Sequence, residues 1–160
     1  MKKKKQKKTS KKMVKKVKLR VKQALITRGG IKNHKPTVAQ AQSWFNVLNQ
    51  GIFYGRLTLP TIQIKRLKDC FGECECSWDA RSVKTRRNQL PVDSLDHPTV
   101  SFKITLKSKY DTWKDFIETL AHEMVHLHQM TIDKDPYSNH SAKFFKWRPR
   151  FKTFGLALTL

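Results

Sequence analysis

The stretch from Thr112 to Met130 reads as one helix with two differently used faces. Trp113, Phe116, Ile117, Leu120, Met124 and Leu127 fall on a single stripe at 100° per residue, and the run is too long for a strand. His122 and His126 fall about opposite that stripe. Asp111 is the expected N-cap, and Asp115 and Glu118 near the start suit the helix dipole. A helix with so wide an apolar face needs a packed layer against it, which the rest of the chain must supply.

The 160 residues suffice for one domain with one core. Thr37 caps an expected helix to about Gln50, with Val38, Ala41, Phe45 and Leu48 on its inner side and Gly51 as its stop. The alternation Ile62, Ile64 after Pro60 predicts a strand within 57–67. Residues 74–79 and 99–106 read as further strands. The connection 81–98 carries Arg81, Lys84, Arg86 and Arg87, either as phosphate contacts or as a solvated basic loop. A last helix is expected from near His140 towards Phe154, kinked or split by Pro149 and closed by Gly155. The expected fold class is therefore α+β: an N-terminal helix, a small β-sheet, the two-histidine helix and a C-terminal helix.

Charge divides the chain. The formal net charge is +22, and residues 1–22 hold 13 of the 34 Lys and Arg with no acid, leaving a body of about +9. Residues 1–30 are expected to be a basic, largely disordered tail, and 31–160 the folded domain. Val14, Val17, Val21 and Leu25 mark a short basic helix in that tail, ordered on binding. Lys2, Lys3, Lys4, Lys5, Lys7, Lys8, Lys11, Lys12, Lys15 and Lys16 are the candidate nucleic-acid contacts, because lysines on phosphate release condensed counterions. Aromatics are sparse there, so sequence-nonspecific binding is expected. A solubilising tail with no dedicated partner is the first alternative, and an anionic membrane surface the weaker one. No apolar run can span a bilayer, and no apolar h-region follows the charged N-terminus. Cys70, Cys74 and Cys76 are odd in number and lack ribbon spacing, so they read as ordinary strand or loop cysteines. An intracellular protein, neither secreted nor membrane-bound, is the expectation.

His122-Glu123-Met124-Val125-His126 carries the chemistry. Two histidines four apart on a helix reach one metal ion, and the adjacent Glu can hold a water without being a ligand. Zinc lowers the pKa of that water, and Glu123 takes its proton during attack on a carbonyl. A catalytic zinc takes a third protein ligand. Gln129 and Ile132 stand where the metzincin pattern needs Gly and His, and no Glu follows Glu123. His128 points roughly 160° away from His126. His140 remains, with Asp133 and Asp135 as fallbacks, and Tyr137 is one possible oxyanion-stabilising group.

The segments around these residues resemble the SprT family, which includes the Spartan-type proteases that degrade proteins crosslinked to DNA. The resemblance lies in Asn49 to Leu57 followed by Pro60, in Phe71-Gly72 with Cys76-Ser77-Trp78, in Leu120 to His126, and in His140-Ser141-Ala142-Lys143-Phe144. It covers about residues 37–156 and implies a small zincin-like domain. It further implies Zn2+ held by His122, His126 and His140, with Glu123 as catalytic base, and protein substrates at or crosslinked to DNA. Ser141 replaces the family's usual Gly, and the Cys-rich ribbon of many members has no counterpart after Cys76. DNA binding is then expected to fall to the basic tail and body. The competing reading is a non-enzymatic, basic nucleic-acid-binding protein with a structural zinc.

Overall fold

The computed structural model describes residues 8–79, 99–135 and 138–160. In chain order the elements are α1 (Lys11–Arg28), β1 (Lys32–His34), α2 (Val38–Gly51), β2 (Thr61–Lys65), β3 (Gly72–Ser77), β4 (Ser101–Lys107), β5 (Tyr110–Thr112), α3 (Trp113–Thr131), α4 (Ala142–Phe145) and α5 (Arg148–Thr153). The domain is α+β, as the sequence reading has it. Arg81, Lys84, Arg86, Arg87 and Tyr137 lie outside the described residues.

A three-stranded sheet runs in the order β2-β4-β3. β2 lies parallel to β4 from Thr61↔Lys103 to Lys65↔Lys107, and β3 lies antiparallel to β4 from Gly72↔Leu106 to Ser77↔Ser101. The central strand is buried at Ile104, Thr105 and Leu106. α3 packs against this sheet and α2 with Phe116, Ile117, Leu120 and Met124 fully buried. β1 and β5 form a separate antiparallel pair, Lys32↔Thr112 and His34↔Tyr110. That pair delivers the chain into α3: the Trp113 and Lys114 N–H groups, which no helix can satisfy internally, donate to the carbonyls of Ile31 (2.9 Å) and Gly29 (3.2 Å).

Three sequence expectations are corrected. The N-cap of α3 is Thr112, not Asp111: its hydroxyl accepts from the Asp115 N–H at 3.1 Å while Asp115 accepts from the Thr112 N–H at 3.0 Å. A capping box needs a carboxylate three residues on, and Lys114 occupies that position for Asp111. Gly51 is the last residue of α2 and not a stop beyond it, with Ile52 as the C-cap; it is glycine because a Cβ there would come within 2.7 Å of both Phe154 and Val17. The chain turns instead at Tyr54 and Gly55, with φ of 57° and 71°, and Asn49 closes the loop by bonding both the N–H (3.0 Å) and the carbonyl (2.8 Å) of Leu57. The short basic helix expected from Val14, Val17, Val21 and Leu25 is present as α1, but it belongs to the folded domain and not to a disordered tail: Ser10 caps it, and it packs on α2 with Val17 and Val21 buried. The burial of an apolar stripe that the sequence shows provides the reason. The C-terminal helix is split as expected, into α4 and α5 divided ahead of Pro149, and it begins at Ala142, close to His140.

Candidate metal centre

α3 presents His122 and His126 one turn apart, and the segment ahead of α4 brings His140 to them. The His140 Nε2 stands 3.0 Å from the Nε2 atoms of both His122 and His126. The ligand-capable atoms of all three lie within 4.8 Å of one another. Hydrogen bonding alone cannot satisfy this arrangement. One ring nitrogen carries at most one proton, so at most one of the two His140 contacts has a hydrogen between the nitrogens on its account. A cation between them satisfies all three lone pairs at once. Tetrahedral zinc, with bonds of about 2.0–2.1 Å, spaces its nitrogens about 3.3 Å apart, close to the 3.0 Å that His140 keeps to each of the other two. The three histidines therefore fit a metal of that size and softness.

Their surroundings hold them ready. Burial, and then the neighbouring His126 and His140, push the His122 imidazole down to about 4; burial, and then His140, likewise lower His126. Neutral rings are the form a metal binds. Fully buried Phe144 lies under all three rings, with centroids 4.7–4.8 Å away. His126 is itself buried, so the two histidines are not simply displayed on a polar helix face. Gln129, wholly buried, faces His126 Nδ1 with its Oε1 at 3.2 Å and donates from Nε2 to the Asn139 carbonyl at 3.1 Å. It thereby keeps the His126 proton on Nδ1, freeing Nε2, and ties down the peptide beside His140. The Thr159 main chain lies beside the His122 ring and favours its protonated form, against the larger effect of burial.

Glu123 is 5% exposed and points into the same cleft. Burial, reinforced by Glu73, pushes its carboxyl up to about 8. A Cβ on Gly72 would lie 2.8 Å from Thr119 Cγ2 and 3.1 Å from the Glu123 carboxyl, so a side chain is missing where Glu123 needs room. Tyr110 fixes that approach: its hydroxyl donates to the Phe71 carbonyl at 2.5 Å and accepts from the Lys107 N–H at 3.0 Å. Burial drives its phenol well above the usual range, so it stays a donor.

The other sequence candidates stand apart. His128 points to Phe53 and Trp147 and pairs with Asp133 at 3.4 Å, so neither approaches the trio. Among the described residues the metal-capable cluster holds only the three histidines, and Asp135 is not part of it. Cys70, Cys74 and Cys76 are free thiols, each held protonated by burial. Lys8, Lys11, Lys12, Lys15 and Lys16 are exposed on or beside α1; Lys2, Lys3, Lys4, Lys5 and Lys7 lie outside the described residues. Gln129, Tyr110 and Thr159 escaped the sequence reading because their roles depend on partners from distant segments.

Two histidines a turn apart, a third from the next segment and a buried glutamate between sheet and helix define a metallopeptidase-like domain with a site able to hold a metal ion. Residues 41–159 match the SprT-like family, and the chain belongs to it. No curated protein matches the sequence.

Proposed function

We propose that this protein is a zinc-dependent peptidase of zincin-like architecture that acts on proteins at or crosslinked to DNA. The convergence of His122, His126 and His140 beside the buried Glu123 carries the reading. Those histidines hold zinc, which when bound supplies Lewis-acid charge and lowers the pKa of a water. Glu123 orients the attacking water, takes its proton, and then passes that proton to the leaving amine. A group in that role benefits from an affinity for protons raised towards neutrality, which burial provides here. His126 and His140 are kept in register by Gln129, and Phe144 prevents the rings from tilting inward.

A purely structural zinc has its coordination filled by protein. Among the described residues only three side chains converge, and the adjacent carboxyl has no structural task. That favours the enzyme over the non-enzymatic nucleic-acid-binding module. The exposed lysines of α1 support the DNA part of the proposal, as does the charge of +22. No helix among the described residues is long and apolar enough to cross a membrane.

The test is Glu123→Gln. The variant is expected to retain one zinc per chain and its DNA affinity while losing cleavage of a DNA-bound protein substrate. Cleavage at the wild-type rate would remove Glu123 from the mechanism.

A further inference from the structure

The cleft over the histidines is acidic in a chain that is otherwise strongly basic. It encloses about 850 Å³ and runs between the start of β3, the outer side of α3 and the segment 157–160. Seven of the chain's 12 acidic residues line it, and none of its 34 Lys and Arg does among the described residues. No described residue of the first 68 lines it either, and those 68 contain no acid at all.

Some of these carboxylates have other work. Asp115 closes the α3 capping box, Glu75 pairs with Lys103 at 3.2 Å, and Glu118 pairs with Lys114 at 3.6 Å and accepts from the Ala157 N–H at 2.9 Å. Asp69, Glu73 and Asp111 have no cationic partner among the described residues, and all three are exposed at the cleft. Glu73 takes only a weak bond from the Cys70 thiol at 3.4 Å. A separate observation marks the same space as a ligand site: Glu123, nine-tenths buried, points into it with no hydrogen bond or ion pair among the described residues, beside the three converging imidazoles.

Three unpaired carboxylates in one cleft repel one another and repel phosphate. They are relieved by bringing in positive charge, which no described residue supplies to the cleft. A single metal ion at the histidines relieves only what lies near it, whereas Asp69, Glu73 and Asp111 are spread over three segments of the chain: the loop before β3, β3 itself and β5.

We propose that this cleft selects cationic polypeptide: Lys- and Arg-rich segments whose side chains face Asp69, Glu73 and Asp111 while the adjoining peptide bond lies at the histidines. This rests on the peptidase reading and specifies its substrate class. Segments of that composition are the ones by which proteins grip phosphate. Nucleic acid itself is excluded from the cleft by its charge and is left to the lysine-bearing surface. The enzyme thereby separates the two polyions of its target, holding one on a basic surface and admitting the other to an acidic cleft.

The test uses the full chain loaded with zinc and three quenched fluorogenic peptides. They are identical except that three positions flanking the cleaved bond are all Lys, all Gln or all Glu. Exposed ion pairs contribute little singly, so three together are expected to favour the Lys peptide over the Gln peptide by about tenfold in kcat/KM. The Glu peptide should be the poorest. The Lys preference should shrink at high salt and fall in the Asp69→Asn/Asp111→Asn double variant, which leaves the neighbour of Glu123 untouched. Equal cleavage of Lys and Gln peptides by the wild type would overturn the proposal while leaving the peptidase reading intact. An undiminished Lys preference in the folded double variant would overturn it too. Cleavage of none of the peptides would count against the peptidase reading; binding of the labelled Lys and Gln peptides, measured by anisotropy, then decides the cleft's selectivity, with equal affinities refuting it.

Discussion

Gln129 is the most economical place to test whether the geometry around the histidines matters. One side chain there makes two bonds, to His126 Nδ1 at 3.2 Å and to the Asn139 carbonyl at 3.1 Å, and it is wholly buried. Gln129→Met preserves volume and removes both. It leaves a buried ring N–H and a carbonyl without partners, each at a cost of about 1–3 kcal/mol. The folded state should lose roughly 2–6 kcal/mol in consequence. Zinc affinity should fall about 10–100-fold, the usual consequence of losing a group that orients a metal-binding histidine. Gln129→Glu separates the two bonds. Its carboxylate still accepts from His126 but faces the Asn139 carbonyl with no hydrogen to offer. Affinity measured by competition with a chromophoric chelator should therefore be highest for the wild type, lower for Gln129→Glu and lowest for Gln129→Met. Amide exchange around residues 138–140 should quicken in both variants, since both free the peptide before His140. Wild-type zinc affinity in Gln129→Met would refute the coupling.

Gly72→Ala should lower peptide cleavage far more than zinc content. The added Cβ would meet Thr119 and Glu123 at 2.8 and 3.1 Å, and relieving such overpacking costs typically about 1–3 kcal/mol; unimpaired cleavage would show that Glu123 has slack. Removing zinc with a chelator should lower the thermal midpoint, because metal at a thousand times its dissociation constant stabilises by about 4 kcal/mol; an unchanged midpoint in calorimetry would deny the site any metal. Changing Lys11, Lys12, Lys15 and Lys16 to Gln should weaken DNA binding and flatten its salt dependence, with the slope falling by up to about 0.9 for each phosphate no longer neutralised. Deleting residues 1–22 is the wrong experiment for this purpose, since it removes Val17 and Val21 from the core at about 1.5–3 kcal/mol each.

What the sequence made legible was local. The α3 stripe, the Thr37 cap, the alternation in β2 and the break before Pro149 all depend on residues within one or two turns, and each is present. The errors came where a local signal had two candidates or a remote partner. Asp111 and Thr112 are both good caps, and only Asp115, three beyond Thr112, decides between them. Gly51 reads as a stop because glycine often is one, yet its purpose is to admit Phe154 from the far end of the chain. α1 reads as a helix within a tail because lysines dominate it, and Val14, Val17, Val21 and Leu25, which mark the helix, do not announce that α2 offers them a surface. His140 was reachable by elimination. Its support was not, since Gln129 is an ordinary polar residue until Asn139 folds back upon it.

The same contrast explains why net charge alone misleads about this protein's chemistry. A value of +22 describes the first 68 residues well, where every ionisable side chain of fixed charge is a cation. It describes the cleft wrongly, because the fold collects Asp69, Glu73, Asp111 and Glu118 from four separate places in the sequence around one set of histidines. Averaging over the chain hides this, and a sliding window hides it as well, since β3 alternates its acids with cysteines and the acids of α3 are spaced for capping. Only the topology makes a field of them: β3 is an edge strand of its sheet, and α3 lies against it. Moving β3 to the centre of the sheet with the same composition would pair its edge and close the cleft, leaving the acids no common opening to face. The polarity of the molecule is thus a property of strand order as much as of sequence.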